Sequence, residues 1–378
     1  MSAECMVTVA EIENRGRGLV ATQPLKAGQI VLRDSPVLLY SSLLPSSSSY
    51  YCHNCHKTLQ SSSSSQVCPS CSVVFCSPDC LTAAASCSHS PYLCQALSRL
   101  RNCPDLPLDR QVQARFLIAA YNLSLVNRSE FQVLLNLQGA VTDDDITAAN
   151  SLHPLISSLF PPSSIPPLEL TAALLAKDRQ NAFGLMEPFV EDRQRSVRAY
   201  GIYPKASFFN HDCLPNACRF DYVDAAAENN NSDIIVRMIH DVPQGREICL
   251  SYFPVNLDYS TRQKRLLDDY GFNCDCDRCK VEANWSDNDN DNDNDVDDDE
   301  NEEQLMEEEQ DEEMAAADAE NGGDTDFPHA YFFMRYMCDR NNCWGTLAPL
   351  PPSNATPSTV MECNVCGNLK NDAIGSQG

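Results

Sequence analysis

The chain has 378 residues, long enough for two or three domains, and with 43% hydrophobic residues it can bury a sizeable core. No run of about 18 apolar residues appears, which argues against a membrane span, and the N-terminal stretch lacks the basic start and apolar middle of a secretion signal. The net charge of −26 belongs mostly to residues 286–326, which hold 21 Asp and Glu and no Lys or Arg, so the other 337 residues carry about −5 and no DNA-binding surface is called for.

Taken in chain order, residues 1–45 read as short strands, because VTVAEI and QIVLRDSPVLLY are rich in β-branched residues and RGRG and LKAG supply turns. A Ser-rich loop, Ser46 to Ser49, leads into a cysteine cluster at 52–94, itself spaced by Ser61 to Ser65. From 109 to 137 the period changes: Val112, Phe116, Ala119, Ala120 and Leu123 recur at helical spacing. DDDITAANSLHPLISSLF and PPLELTAALLAKDRQNAF predict two more helices, broken apart by PPSSIPP. This block reads as a helical bundle packed on a sheet. Residues 181–255 return to short strands and loops, and 258–270 predict a helix leading into cysteines. The acidic tract 286–326 cannot bury enough apolar surface to fold, and 327–370 form a small cysteine-containing tail.

The expected compartment is nucleus or cytoplasm. In that reducing setting the 20 cysteines should stay unpaired, and metal ligation becomes the leading use for the clustered ones. The first cluster is Cys52, Cys55, Cys68, Cys71, Cys76, Cys80, His89 and Cys94, enough for two closed tetrahedral zinc sites. A different two-zinc finger, such as a RING-like module, is the rival, and Cys87 is a substitute for His89. The second is Cys274, Cys276 and Cys279. Three thiolates cannot close a tetrahedral site, so Cys213, 61 residues upstream, is the candidate fourth ligand, against a three-cysteine site completed by water. The third, Cys338, Cys343, Cys363 and Cys366, reads as a zinc ribbon-like structural site.

The segment NHDCLPN, then GREICLSYF, then DYGFNCDCDRC, resembles the SET domain in order and separation. Arg15-Gly16-Arg17-Gly18 resembles the SET entry loop, and RQNAF at 179–183 the segment before the SET core. The first cluster resembles the MYND finger, and a MYND finger inserted into a SET domain marks the SET-and-MYND family of protein-lysine methyltransferases. The likeness covers about 1–281. The acidic tract and tail look like a plant-type member, without the helical repeat domain of many animal members.

The resemblance implies a mixed α+β fold: a β-rich SET domain of short strands, an inserted two-zinc finger, a helical insert and a zinc-bound post-SET region. The implied division places the N-terminal half of the SET domain at residues 1–45 and the MYND-type finger at 46–100. A helical insert at 104–180, the SET core at 181–257 and the post-SET zinc region at 258–281 follow, then the acidic tract 286–326 and a tail module at 327–370. The resemblance implies interleaved finger sites, one zinc on Cys52, Cys55, Cys76 and Cys80, the other on Cys68, Cys71, His89 and Cys94. One departure is the spacing of His89 and Cys94, one residue longer than usual. Another is Arg17, where relatives often carry a smaller polar residue.

The implied activity is methyl transfer from S-adenosylmethionine to lysine side chains of proteins, histones first and others also. Tyr252 matches the catalytic tyrosine and Tyr270 a second tyrosine at the lysine channel. Arg15, Gly16, Arg17, Gly18, Asn181, Asn210, His211, Tyr252 and Phe272 match cofactor-contacting positions, with Arg15 or Arg17 facing the cofactor carboxylate. Asp212 stands where Ser is more common. The competing readings are a catalytically silent adaptor that binds peptides through its finger and a DNA-binding cofactor. The finger region 52–94 has one Lys, Lys57, and no Arg, which is poor for neutralising phosphates. A monomer is expected.

Overall fold

The computed structural model describes residues 6–42, 51–59, 65–101, 106–160, 166–190, 196–224, 231–284, 329–353 and 356–372. The acidic tract at 286–326 lies outside the described residues. The chain opens with β1 (Val7–Ile12), β2 (Gly16–Ala21), β3 (Ile30–Asp34) and β4 (Leu38–Ser41). The cysteine-rich segment holds β5 (Gln66–Val67), β6 (Val74–Phe75), α1 (Pro78–Ala85) and α2 (Pro91–Leu100). Four longer helices follow: α3 (Leu108–Val126), α4 (Arg128–Leu135), α5 (Asp143–Leu159) and α6 (Leu168–Asn181). Strands return as β7 (Ala182–Met186), β8 (Val197–Ile202), β9 (Asn210–His211), β10 (Ala217–Phe220), β11 (Ile234–Met238) and β12 (Glu247–Leu250). Then come α7 (Tyr259–Arg265), α8 (Asp277–Glu282), α9 (Ala330–Tyr336), β13 (Leu347–Pro349), β14 (Val360–Cys363) and β15 (Leu369–Asn371).

Local chemistry accounts for most boundaries. Helices α1 and α2 each start at a Ser-Pro pair, and the Ser77 and Ser90 side chains accept from the backbone N–H of Cys80 and Leu93. The periodic stretch 109–137 is two helices, because Asn127 ends α3 and its side chain caps α4 by accepting from Glu130 N–H. Thr142 and Asp145 form a reciprocal capping box at the start of α5. After α7 the helix widens into one π-type turn, Leu266–Tyr270, which Gly271 ends at φ +78°.

The strands form several small sheets. The first has the order β1-β2-β12-β9, with β1 and β2 an antiparallel hairpin and β9 parallel to β12. The others are β10-β11-β3, β4-β8-β7, β13-β14-β15 and the finger hairpin β5-β6. The helices bury Phe116, Leu152, Ile156 and Leu174 in one core that Leu38, Tyr40 and Ile202 of the β4-β8-β7 sheet join. A second core, with Leu19, Val31, Phe209, Val236 and Ile248, binds the first two sheets together.

The C-terminal residues share a third core with the sheets. Phe332, Tyr336, Leu347 and Met361 pack with Phe220, Ile235 and Val255. Glu362 of β14 receives Arg237 at 2.8 Å and the Tyr222 hydroxyl at 2.9 Å, and Arg237 stacks 3.8 Å from the Phe220 ring centre. At Gly28 (φ +78°), where β3 is about to begin, any Cβ would stand 2.4 Å from the Leu350 carbonyl oxygen. The tail is thus packed into the strand region rather than appended to it.

Candidate active site and metal centres

Segments distant in sequence converge on a cavity of about 130 Å³. Its wall contains Arg15, Arg17, Asn181, Asn210, Tyr252, Tyr270 and Phe272, all singled out from the sequence. Leu137, Gln138, Gln180, Ser207 and Phe208 complete it. Of these, Leu137 and Gln138 follow α4 and carry no motif, so nothing in the sequence points to them.

Tyr252 follows β12 directly. Its hydroxyl donates to the Phe209 carbonyl oxygen at 2.9 Å, and its ring lies 4.7 Å from that of Tyr270 and 5.2 Å from His211. Burial raises the pKa of Tyr252, with Tyr270 adding to the shift, and burial likewise raises Tyr270. Both hydroxyls therefore stay protonated at neutral pH. Because the Tyr252 proton is committed to Phe209, the oxygen has lone pairs left to accept a bond from the cavity.

The two arginines of the entry loop differ. Arg15 donates to Glu247 Oε2 at 2.5 Å and to the His211 carbonyl oxygen, so it faces a carboxylate of its own chain. Glu247 Oε1 meanwhile receives the Asn210 amide at 2.7 Å. Arg17 has no carboxylate partner among the described residues: it stacks 4.9 Å from the Phe208 ring centre and donates to the Asn136 carbonyl at 3.3 Å. Of the pair, Arg17 is therefore the one with charge to offer a ligand. Gly16 adopts φ +69°, a left-handed conformation at the end of the β1–β2 turn. Neither glycine is on the cavity wall, and the need of Gly18 is packing: a Cβ there would stand 2.8 Å from the Asn210 amide nitrogen and 2.7 Å from Glu247 Oε1. Asn181 spends its amide on the Gln138 and Lys177 carbonyls at 2.7 and 2.8 Å, joining the end of α6 to the cavity wall.

The donor set suits a polar cofactor with an aromatic base. Among the described residues Ser207 Oγ is buried beside the cavity without a hydrogen-bond partner and the Arg17 guanidinium lacks a carboxylate, and Phe272 leaves over a third of its surface exposed.

Cys213, Cys274, Cys276 and Cys279 meet in one group, with all four sulfurs within 4.8 Å of each other. Cys213 lies 3.9 Å from Cys274 and 3.5 Å from Cys279. A tetrahedron of thiolates about 2.3 Å from a zinc ion has edges of about 3.8 Å, whereas a disulfide would need about 2.05 Å. The group therefore fits zinc. Behind it lies a charged network that the sequence does not disclose. Arg262, fully buried, donates to Cys213 Sγ at 3.2 Å and to Glu282 at 2.6 Å, and Arg278 holds the other Glu282 oxygen at 2.6 Å.

His211 is not on the cavity wall either. It is 1% exposed, its Nδ1 accepts the Tyr252 backbone N–H at 3.1 Å, and its Nε2 stands 3.3 Å from Cys213 Sγ. Burial lowers its pKa to about 3, so it is neutral, with the proton on Nε2 directed at the sulfur. A buried neutral imidazole of this kind orients its neighbours. Its neighbour Asp212 is pushed up to about 6 by burial, with Cys276 adding to the shift.

Three further groups have the same geometry: Cys52, Cys55, Cys76 and Cys80; Cys68, Cys71, His89 and Cys94; Cys338, Cys343, Cys363 and Cys366. Their sulfur separations include 3.7 Å for Cys55–Cys76, 3.6 Å for Cys68–Cys94 and 3.5 Å for Cys343–Cys363. His89 is the member of the second group. Cys87 is exposed and directs its thiol at the Ala83 carbonyl oxygen.

Comparison with known proteins settles the family. The SET domain model matches residues 16–253. The chain belongs to the SET-domain family. This SET protein is 56% identical, over 98% of its own length and 97% of the relative's, to the histone-lysine N-methyltransferase ASHR2 of Arabidopsis thaliana. It is 25% identical to the histone-lysine N-methyltransferase SMYD3 of Homo sapiens over 71% of this chain and 60% of that protein. A looser likeness, TM-score 0.38 and 14% identity over 74% of this chain and 55% of the other, links it to the SET domain of LSMT bound to MeLysine and AdoHcy. Membership of the SET-and-MYND group agrees with the paired four-ligand groups inserted between β4 and α3.

Proposed function

We propose that this SET protein transfers methyl groups from S-adenosylmethionine to lysine side chains of proteins, histones among them. The reading is carried by one observation: the Tyr252 hydroxyl, held protonated and aimed by the Phe209 carbonyl, lines a cavity with Tyr270, Asn210 and Arg17.

The cofactor, when bound, supplies a methyl group on a positively charged sulfur. Arg17 would meet its carboxylate, Ser207 Oγ and Gln138 would meet its polar groups, and Phe272 would lie against its base. Asn210, fastened by Glu247, would hold the shape of that wall. The acceptor must be a neutral amine, although free lysine has a pKa of about 10.4. Tyr252 and Tyr270 would line the path of the lysine tip, and their apolar rings exclude water and disfavour the ammonium form. The Tyr252 oxygen would accept a hydrogen bond from the amine and orient its lone pair for in-line attack. The lysine ammonium would give its proton to water on entering, and the neutral nitrogen held by Tyr252 would then receive the methyl group that the cofactor supplies, taking over its positive charge.

The same reading takes one zinc in the Cys213 group, two in the finger and one in the tail, each closed and structural. It keeps the division at 1–45, 46–100, 104–180, 181–257, 258–281 and 327–370, with the tract 286–326 between. It takes a nuclear and cytoplasmic protein, a monomer, whose finger also receives peptide partners.

The test is labelled-methyl transfer to histones and a panel of lysine-rich proteins, wild type against Tyr252→Phe. Removal of the one hydroxyl should cut turnover by about 100-fold while S-adenosylhomocysteine still raises the melting temperature. Equal turnover in the two proteins would overturn the assignment of Tyr252.

A further inference from the structure

A second cavity, about 780 Å³, lies where the finger, α2, α3 and β4 meet, and its wall shares no residue with that of the Tyr252 cavity. The volume is in the range of small-molecule sites. One face of α3 forms its long wall, with Gln111, Arg115, Ile118, Ala119, Leu123 and Val126 at helical spacing. The face is graded. Gln111 and Arg115 make one end polar, and the twelve residues from Arg115 to Val126 span about 16 Å of wall that is apolar but for Asn122. Leu38, Leu93 and Leu97 extend that apolar lining from β4 and α2.

Arg115 is the anomaly. It is 9% exposed, and among the described residues its hydrogen bonding is a single contact, Nη1 to the Ser41 carbonyl oxygen at 3.4 Å. A guanidinium has five N–H donors, and no carboxylate pairs with this one among the described residues. Burial lowers its pKa, and no neighbouring acid offsets the effect. Glu130 is the one carboxylate on the described wall, and it sits in α4, beyond the far end of the apolar stripe. Arg101 adds a second guanidinium, bonded to the Cys71 carbonyl at 3.3 Å. A buried cation without a counter-charge among the described residues is costly, and here it stands at one end of an open cavity whose α3, α2 and β4 walls are mostly apolar and whose finger side carries His53, Asn54, His56 and Ser88.

We propose that this cavity binds an amphipathic monocarboxylate, with its carboxylate on the guanidinium of Arg115 and its apolar chain along Ile118, Leu123 and Val126. The planar fork of Arg matches a carboxylate in two parallel hydrogen bonds. Arg101 is exposed and bonded to the Cys71 carbonyl, so a doubly charged phosphate head would find Arg115 as the one buried guanidinium to balance it.

Titration calorimetry on the full zinc-loaded chain tests this, with dodecanoate as the probe and dodecanol and dodecyl phosphate as head-group controls. Wild type should bind dodecanoate at least about tenfold more tightly than either control. Arg115→Met should lose about tenfold or more of that affinity, and Arg115→Lys, which keeps the charge without the fork, should lose a smaller share of it. Leu123→Trp, which fills the tail region, should also weaken dodecanoate, with Ala119→Leu as the milder filler if that variant does not fold. Binding of S-adenosylhomocysteine by each variant reports that the rest of the molecule is intact. The proposal is overturned if wild type takes up no dodecanoate, if the alcohol or the phosphate binds equally or better, or if Arg115→Met binds undiminished.

Discussion

The backbone N–H of Tyr252 donates to Nδ1 of His211 at 3.1 Å, and the other ring nitrogen stands 3.3 Å from Cys213 Sγ. One imidazole thus connects a sulfur of the four-cysteine group to the residue proposed for the reacting centre. The post-SET cysteines and the NHDCLPN loop are mechanically one unit, and the position of Tyr252 depends on it.

Cys213→Ser should therefore lower zinc by about one ion per chain, measured by elemental mass spectrometry, and abolish methyl transfer with it. Cys338→Ser should also lose about one zinc, since its group is separate, yet retain more turnover. His211→Ala should keep the metal but bind it about 10- to 100-fold more weakly, the usual effect of removing a partner to a ligand. A His211→Ala protein with unchanged zinc affinity and turnover would contradict this linkage.

Gly18→Ala offers a separate check on the entry strand. The added methyl would press on the Asn210 amide, Glu247 Oε1 and Ile12 Cγ1, all within 2.8 Å of its ideal position. Overpacking of this kind costs about 1–3 kcal/mol. The displaced Asn210 should also weaken S-adenosylhomocysteine, so thermal melts with and without that compound should show both losses. Gly245→Ala meets no steric obstacle but forfeits a φ of +80°, so it should lose stability without losing cofactor affinity.

Asp178 should contribute stability that falls as pH rises from about 4 to about 7, against the buried neutral histidines His53, His56 and His211, whose contribution rises over the same window. Burial pushes its pKa up to about 7, against the hydrogen bond from Tyr40 at 2.5 Å, and Asp145 adds to the rise. A group with a folded pKa above its unfolded value of about 3.9 contributes stability that is complete below the unfolded pKa. That contribution is lost as pH rises through the folded pKa. Asp178→Asn removes the titration, so the wild-type melting temperature minus that of the variant should fall between about pH 4.5 and about pH 8 at matched ionic strength. An identical pH profile in the variant would remove Asp178 from this account.

The tail should behave as an integral piece of the fold. Arg237 has a side chain 3% exposed and its carboxylate partner is Glu362. Glu362→Ala leaves that cation buried and unpaired, which typically costs about 3–5 kcal/mol. Chemical denaturation should show one cooperative transition shifted by that amount, whereas an independent tail would melt by itself and leave the main transition in place.

Much of the site is legible in residue order alone, because its signals are local. Paired cysteines two to four apart announce metal ligands wherever they fall, and NHDCLPN, GREICLSYF and DYGFNCDCDRC each carry their chemistry in adjacent residues. The same locality makes strand β1 and helices α5 and α6 predictable. The two finger helices escape a reading dominated by cysteine spacing, although Ser77-Pro78 and Ser90-Pro91 are cap signals. The 109–137 stretch reads as one helix because its apolar period runs on, while the Asn127 cap divides it.

Tertiary packing decided the remainder. Two arginines in the entry loop are equivalent as letters, yet Glu247, 232 residues away from Arg15, engages that one and leaves Arg17 without a carboxylate among the described residues. His211 reads as a cofactor contact, but it turns inward to Cys213 because β9 pairs with β12 and points its ring at the four-cysteine group. The Arg262–Glu282–Arg278 network, the docking of Glu362 on Arg237 and the cavity around Arg115 have no local signature at all. Residue type sets what a side chain can do. Whether a charge is paired, buried or open to a ligand depends on neighbours brought from elsewhere in the chain, and only the folded arrangement specifies those.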